Sequence, residues 1–201
     1  MIPLALDPKN CQLALIGAGP GALRRLRALH QAGATGLLVF SPDADAQLAP
    51  AAGAHLRHRL PDTADLQNLH LVWVVGLPTD TAAKIAAMAR SMGALVNVED
   101  VPALCDFHSV AEIRRGDLLL SISTNGAAPG LAASIRRRLE RCFPPQWAAR
   151  VAEIAALRRG WQTEGVTMAQ AAQRIDAMVA ERGWLPCPAT EVFSSNQADI
   201  S

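Results

Sequence analysis

Three glycines, Gly17, Gly19 and Gly21, follow the apolar run Leu13-Ala-Leu-Ile16 and lead into an arginine-rich helical pattern. Strand, glycine turn and helix in that order suit the binding of a nucleotide pyrophosphate. The first glycine allows a tight strand-to-helix turn, the second lets a phosphate approach without a β-carbon in the way, and the third lets helix and strand pack closely. Phosphate charge would then meet free backbone amides and the positive end of the helix dipole. The expected cofactor contacts here are Gly17, Gly19, Pro20, Gly21 and Ala22. A structural turn leaves a similar trace, so the flanking strand and helix carry the reading more than the glycines do.

Further polar residues stand at the expected carboxyl ends of strands, where doubly wound sheets bind ligands. Ser41 and Asp43 follow the second strand, where the ribose of a dinucleotide finds its partner, although Ser41-Pro42-Asp43 would serve equally as a turn and helix start. Gly76 and Thr79 follow the next strand as further cofactor candidates. In Asn97-Val-Glu-Asp100, Asp100 either handles protons beside a nicotinamide or caps the short turn after Val101-Pro102. His108 reads as a proton carrier or as a structural histidine. Cys11, Cys105, Cys142 and Cys187 are scattered without Cys-x-x-Cys spacing, so neither a disulfide framework nor a metal site is expected.

Positioning these groups falls to alternating strands and helices. Apolar strands are expected at 13–16, 36–40, 71–75 and 94–98, with a weak one at 56–60; helices are expected at 21–32 and 79–92, with an Ala-rich stretch between. Continuous apolar strands linked by helices imply a parallel sheet covered on both faces, an α/β Rossmann-type fold. Beyond Asp100 the pattern changes to an extended stretch through 113, an Arg115-Gly-Asp117 turn, a strand at 118–124 and an Asn125-Gly126 turn. A helix at 129–142 has Pro129 near its start, and two more follow at 147–164 and 167–182, the last opened by a Thr167-x-x-Gln170 capping box. The expected divisions are a nucleotide-binding domain at 1–112, a dimerisation segment at 113–146, a small helical region at 147–184 and a flexible tail at 185–201.

Composition sets the outer bounds. Half of the 201 residues are hydrophobic and the net charge is +1, which argues against a domain organised around nucleic acid. No apolar run approaches the roughly 20 residues that cross a bilayer, and the N-terminus has no secretion-signal pattern. The expectation is a cytoplasmic protein without membrane or nucleic-acid partners. Of the 19 basic residues only Lys9 and Lys84 are lysine. Arginine suits bidentate contacts to carboxylates or phosphates, and a GC-rich genome would produce the same bias.

Several segments in order resemble the precorrin-2 dehydrogenase family of siroheme biosynthesis, found alone or as the N-terminal part of siroheme synthase. They are Met1-Ile-Pro-Leu4, the glycine loop running into Ala22-Leu-Arg-Arg25, Gly33-Ala34, Phe40-Ser-Pro42, Val96-Asn-Val-Glu-Asp100 with Pro102, Asp106-Phe107, Arg114-Arg-Gly-Asp-Leu-Leu119 and Ser121-Ile-Ser-Thr-Asn-Gly126 with Pro129 and Leu131. The resemblance covers roughly residues 1–165 and implies an NAD-binding Rossmann domain, a central segment building an intertwined homodimer, and a helical C-terminal region. The implied reaction is NAD-dependent oxidation of precorrin-2 to sirohydrochlorin, with Asp100 at the family's catalytic aspartate position. Some members also insert ferrous iron, as a substrate, into the product. For the polycarboxylate tetrapyrrole the candidate contacts are His108, Arg114, Thr124, Asn125 and Arg137, with Arg136 and Arg138 beside the last. Departures from the family pattern are Val110 in place of a proline, the stretch Thr124-Asn-Gly-Ala-Ala-Pro129, and Gly76-Leu-Pro-Thr-Asp80 in place of an acidic-polar cluster. They keep open an alternative, a nucleotide-binding regulatory or scaffold dimer of the same fold.

Overall fold

The computed structural model describes residues 2–185, so Met1 and all but the first residue of the expected tail lie outside the described residues. The chain forms two compact units, divided between Ser109 and Val110.

In the first unit, strands β1 (Leu13–Gly17), β2 (Leu38–Phe40), β3 (Leu56–Arg57), β4 (Leu71–Val75) and β5 (Leu95–Val98) form one parallel sheet in the order β3-β2-β1-β4-β5. This is the doubly wound order, with the first strand central. Every residue of β1 and β4 is buried, as continuous apolar strands covered on both faces must be. Helices α1 (Gly19–Gln31), α2 (Leu48–Ala52) and α3 (Thr79–Ser91) supply the cover. One core layer gathers Ile16, Phe40, Val74, Ile85 and Val96, and the other gathers Leu15, Leu23, Leu26, Val39 and Val75.

Some boundaries differ from the expected ones for local reasons. Helix α1 begins at Gly19 rather than 21, because Pro20 at its start has no amide to satisfy and is already bent for a helix. Strand β3 ends at Arg57 rather than 60, where the Arg59 amide turns back to the Arg57 carbonyl at 2.8 Å. The helix start after Ser41 is secured by Asp45 rather than Asp43: its carboxylate accepts from the Gln47 and Leu48 amides, each at 2.8 Å, which holds its pKa below the usual value.

The second unit opens with an antiparallel hairpin of β6 (Ala111–Arg115) and β7 (Leu118–Ile122), pairing Arg115 with Leu118 around the Gly116-Asp117 turn. Three helices follow, α4 (Pro129–Cys142), α5 (Trp147–Thr163) and α6 (Met168–Glu181). Thr167 caps α6 through both halves of its capping box with Gln170. Arg150 lies 5.1 Å from the ring centres of both Trp147 and Trp184, a stack that ties the start of α5 to the residues after α6. Leu119, Leu131 and Ile135 remain exposed.

Candidate functional site

The parallel strands of the first unit end together, and the turns after β1, β4 and β5 lie side by side. A β-carbon on Gly17 would lie 1.9 Å from the Val75 carbonyl oxygen, and one on Gly76 would lie 2.5 Å from the Ala18 carbonyl oxygen. The two glycines therefore let the turns after β1 and β4 pass backbone against backbone, joined by the Ala18 amide donating to Val75 at 3.2 Å. Gly19 is different: its φ is +73° and nothing lies within 4 Å of its missing β-carbon. That open side, at the first residue of α1, is where an anion can reach free amides.

By fingerprint spacing the third position from Gly17 is Ala22, not Gly21. Ala22 is fully buried and makes the close helix-to-sheet contact expected of the third glycine. Gly21 gives space on another side, since its β-carbon would stand 3.0 Å from Val75 Cγ1 and 2.9 Å from Glu99 Oε2. Ser41, at the end of β2, is fully buried and its hydroxyl has no partner. A buried hydroxyl without a bond costs free energy until something satisfies it, which suits a nucleotide near this strand end. Asp43 is exposed two residues on. The open Gly19 side and the orphaned Ser41 hydroxyl thus fit a dinucleotide.

Asp100 follows β5, which lies two strand positions from β1. At the usual spacing this places the turn about 10 Å across the sheet end from the glycine loop. Asp100 is exposed, has a φ of +63°, and does not cap the short turn at Pro102–Leu104, whose N-cap is Val101 without a side-chain bond. The capping reading is therefore overturned. Asp100 stands one residue before the N-cap, outside the position from which a side chain accepts the first-turn amides.

The segment around that turn is held by bonds whose partners the sequence does not show. Asn97, buried at the end of β5, donates to the Phe107 carbonyl at 2.8 Å. The Cys105 thiol accepts from the Val98 amide at 3.3 Å and lies 3.2 Å from the Val98 carbonyl as donor. Asp106 takes Arg90 Nε on both oxygens, at 3.0 and 2.9 Å, and the Val96 amide at 2.9 Å. Phe107 meets Trp73 edge-on at 5.2 Å. Asn97, Cys105 and Asp106-Phe107 are visible in the sequence by type alone; the partners of Asp106 come from α3 and β5 and that of the Phe107 ring from β4. His108 is exposed just beyond.

Of the remaining candidates, Arg114, Thr124, Asn125 and Arg137 lie in the second unit, and Gly76 and Thr79 in the first. Arg114 is held bidentately by Glu112 at 3.0 Å, so its cation is already paired. Thr124 Oγ1 accepts from the Ala128 amide at 3.2 Å, shaping the turn before α4. Asn125 has a φ of +55° and is exposed, as is Arg137, while Arg136 pairs with Glu140 one helical turn on. Gly76 and Thr79 are exposed around Pro78, whose carbonyl accepts the Ala82 amide at 2.9 Å; the proline thus starts α3 without a lost helical bond.

Residues 4–111 match the family described as putative NAD(P)-binding. The chain belongs to this family. Residues 115–141 match a second family, the sirohaem biosynthesis protein central region. Siroheme synthase of Methylococcus capsulatus is 34% identical over 158 residues, covering 77% of this chain and 33% of that protein. Siroheme synthase of Pseudomonas putida is 36% identical over 146 residues, covering 71% and 31%. The chain thus spans about a third of the length of these curated relatives. Among solved structures, "SirC, precorrin-2 dehydrogenase" matches with a TM-score of 0.71 at 21% identity, over 92% of this chain and 93% of that one, which shows the shared α/β fold. Among the described residues no helix is long and apolar enough to cross a membrane.

Proposed function

We propose that this chain oxidises precorrin-2 to sirohydrochlorin with NAD, in siroheme biosynthesis in the cytoplasm. NAD, when bound, supplies the hydride acceptor. The glycine loop and the first turn of α1 bind its pyrophosphate, with Gly17, Gly19, Pro20, Gly21, Ala22, Gly76 and Thr79 around it and Ser41 and Asp43 on the adenosine side. Removing a hydride and a proton from the tetrapyrrole needs a base, and Asp100 takes the proton on its carboxylate. His108, Arg114, Thr124, Asn125 and Arg137 are the proposed substrate contacts.

The observation that carries this reading is the Asp100 turn: an exposed carboxylate in a left-handed backbone, not spent on capping, at the same sheet end as the glycine loop. Cys105, bonded to Val98 and 3.4 Å from the Val101 carbonyl, holds the backbone on either side of Asp100. The named relatives and the sirohaem match at 115–141 support the substrate class. A homodimer is part of the proposal, supported by the exposed apolar side chains Leu119 on β7 and Leu131 and Ile135 on α4.

The test is Asp100→Asn, because Asn tolerates the left-handed backbone that Ala would strain by about 1 kcal/mol. NADH formation is followed with enzymatically made precorrin-2, and NAD binding is measured separately. Turnover should fall by about 100-fold or more while NAD binding stays within a few fold. Full activity in the variant would remove Asp100 as the base. Tight NAD binding by the natural chain without any turnover would favour the regulatory or scaffold dimer instead.

A further inference from the structure

The space opened by Gly21 is filled by a charge. Gly21 is the third residue of α1, in helical backbone that any residue adopts, so what glycine provides is room rather than conformational freedom. Glu99 uses that room. Its amide is fixed on the Val74 carbonyl at 2.9 Å, and its side chain reaches past the end of β4 to α1. There Oε2 stands 2.9 Å from the position of a Gly21 β-carbon, and Oε1 lies 3.9 Å from Arg25 Nη2. The Glu99 and Arg25 side chains are 28% and 21% exposed, so neither is a freely solvated surface charge.

We infer that Glu99 is an affinity-determining residue of the glycine loop, holding a carboxylate over the first turn of α1 where it opposes the pyrophosphate of the dinucleotide. The inference rests on the proposed NAD binding. A helix start attracts anions through its unpaired amides and its dipole, and a carboxylate and a pyrophosphate compete for the same field. Arg25, at 3.9 Å, and Arg24, whose Nη2 would lie 3.6 Å from the same Gly21 β-carbon, steady the carboxylate and offset part of its charge; removing the carboxylate leaves both cations to the pyrophosphate. Between two anions at the same helix start, in surroundings between protein and water, the repulsion lowers affinity roughly five- to ten-fold. A loop tuned in this way lets spent cofactor leave.

Glu99→Gln keeps the size and shape of the side chain and removes the charge. Binding of NADH, read by nicotinamide fluorescence, and of ADP-ribose, read by calorimetry, is compared for the natural chain and the variant. Both ligands should bind the variant about five- to ten-fold more tightly at low salt. The difference should shrink near 1 M salt, where the screening length is about 3 Å. Unchanged binding would overturn the inference, and weaker binding would show that Glu99 instead accepts hydrogen bonds from the ligand. If the natural chain binds neither ligand, the NAD reading fails and takes this inference with it. Binding by the natural chain that the variant leaves unaltered sinks the inference alone.

Discussion

Replacing Asp106 by Ala removes the carboxylate that closes the segment after β5. Three bonds end on it: two approaches of Arg90 Nε, at 3.0 and 2.9 Å, which count as one shared charged bond, and the Val96 amide at 2.9 Å. A charged hydrogen bond contributes about 1.5–3 kcal/mol and a neutral one about 1 kcal/mol when buried. The Arg90 and Asp106 side chains are 34% and 28% exposed, so the ion pair belongs at the low end of that range. Arg90 also keeps the Leu104 carbonyl at 2.7 Å, which limits the penalty for the stranded cation. The expected cost is about 2 kcal/mol, or roughly 5–10 °C in melting temperature for a unit of this size. Asp106→Asn, which can still accept the Val96 amide, should cost about half as much. Thermal unfolding followed by circular dichroism gives both values. With the segment loosened, Asp100 loses its fixed place, so turnover should fall while NAD binding changes little. A melting temperature for Asp106→Ala within about 1 °C of the natural chain would refute the clamp. Equal losses in both variants would assign its whole effect to charge.

Two further outcomes test other parts of the molecule. Arg59 beside Asp65 lowers the Asp65 pKa from 3.8 to about 2. A carboxylate whose folded pKa is depressed stabilises the fold above its unfolded pKa and loses that contribution as pH falls through the folded one. The stability gap between the natural chain and Asp65→Asn should therefore be full at about pH 5 and narrow towards pH 2, as urea titrations would show; a gap constant over that range contradicts the pairing. For assembly, sedimentation should give two copies for the natural chain and one for the Leu131→Glu, Ile135→Glu double variant. A natural chain that sediments as a monomer at micromolar concentration would remove the dimer.

Much of the architecture is carried by local pattern. The runs at β1 and β4 are apolar throughout because their strands are covered on both faces, and the helices between them follow the 3.6-residue period. The Thr167–Gln170 box and Pro129 at the first position of α4 mark helix starts by bonds or constraints within a few residues, which a sequence displays directly. The glycine loop is legible for the same reason: its conformational demands fall on its own backbone. What sequence alone left open at Asp100, capping or exposed carboxylate, was decided by a left-handed turn whose flanking residues Val98 and Val101 bond to Cys105. Glu99 over Gly21, Arg25 facing it, and Arg90 gripping Asp106 were likewise invisible, because each pairs groups from different elements. Those elements meet because the sheet order sets the ends of β4 and β5 beside that of β1 and lays α3 against them. Local sequence determined which segments are strands, helices and turns; the order of strands in the sheet decided which charges stand at the mouth of the glycine loop, since charge acts across space and not along the chain.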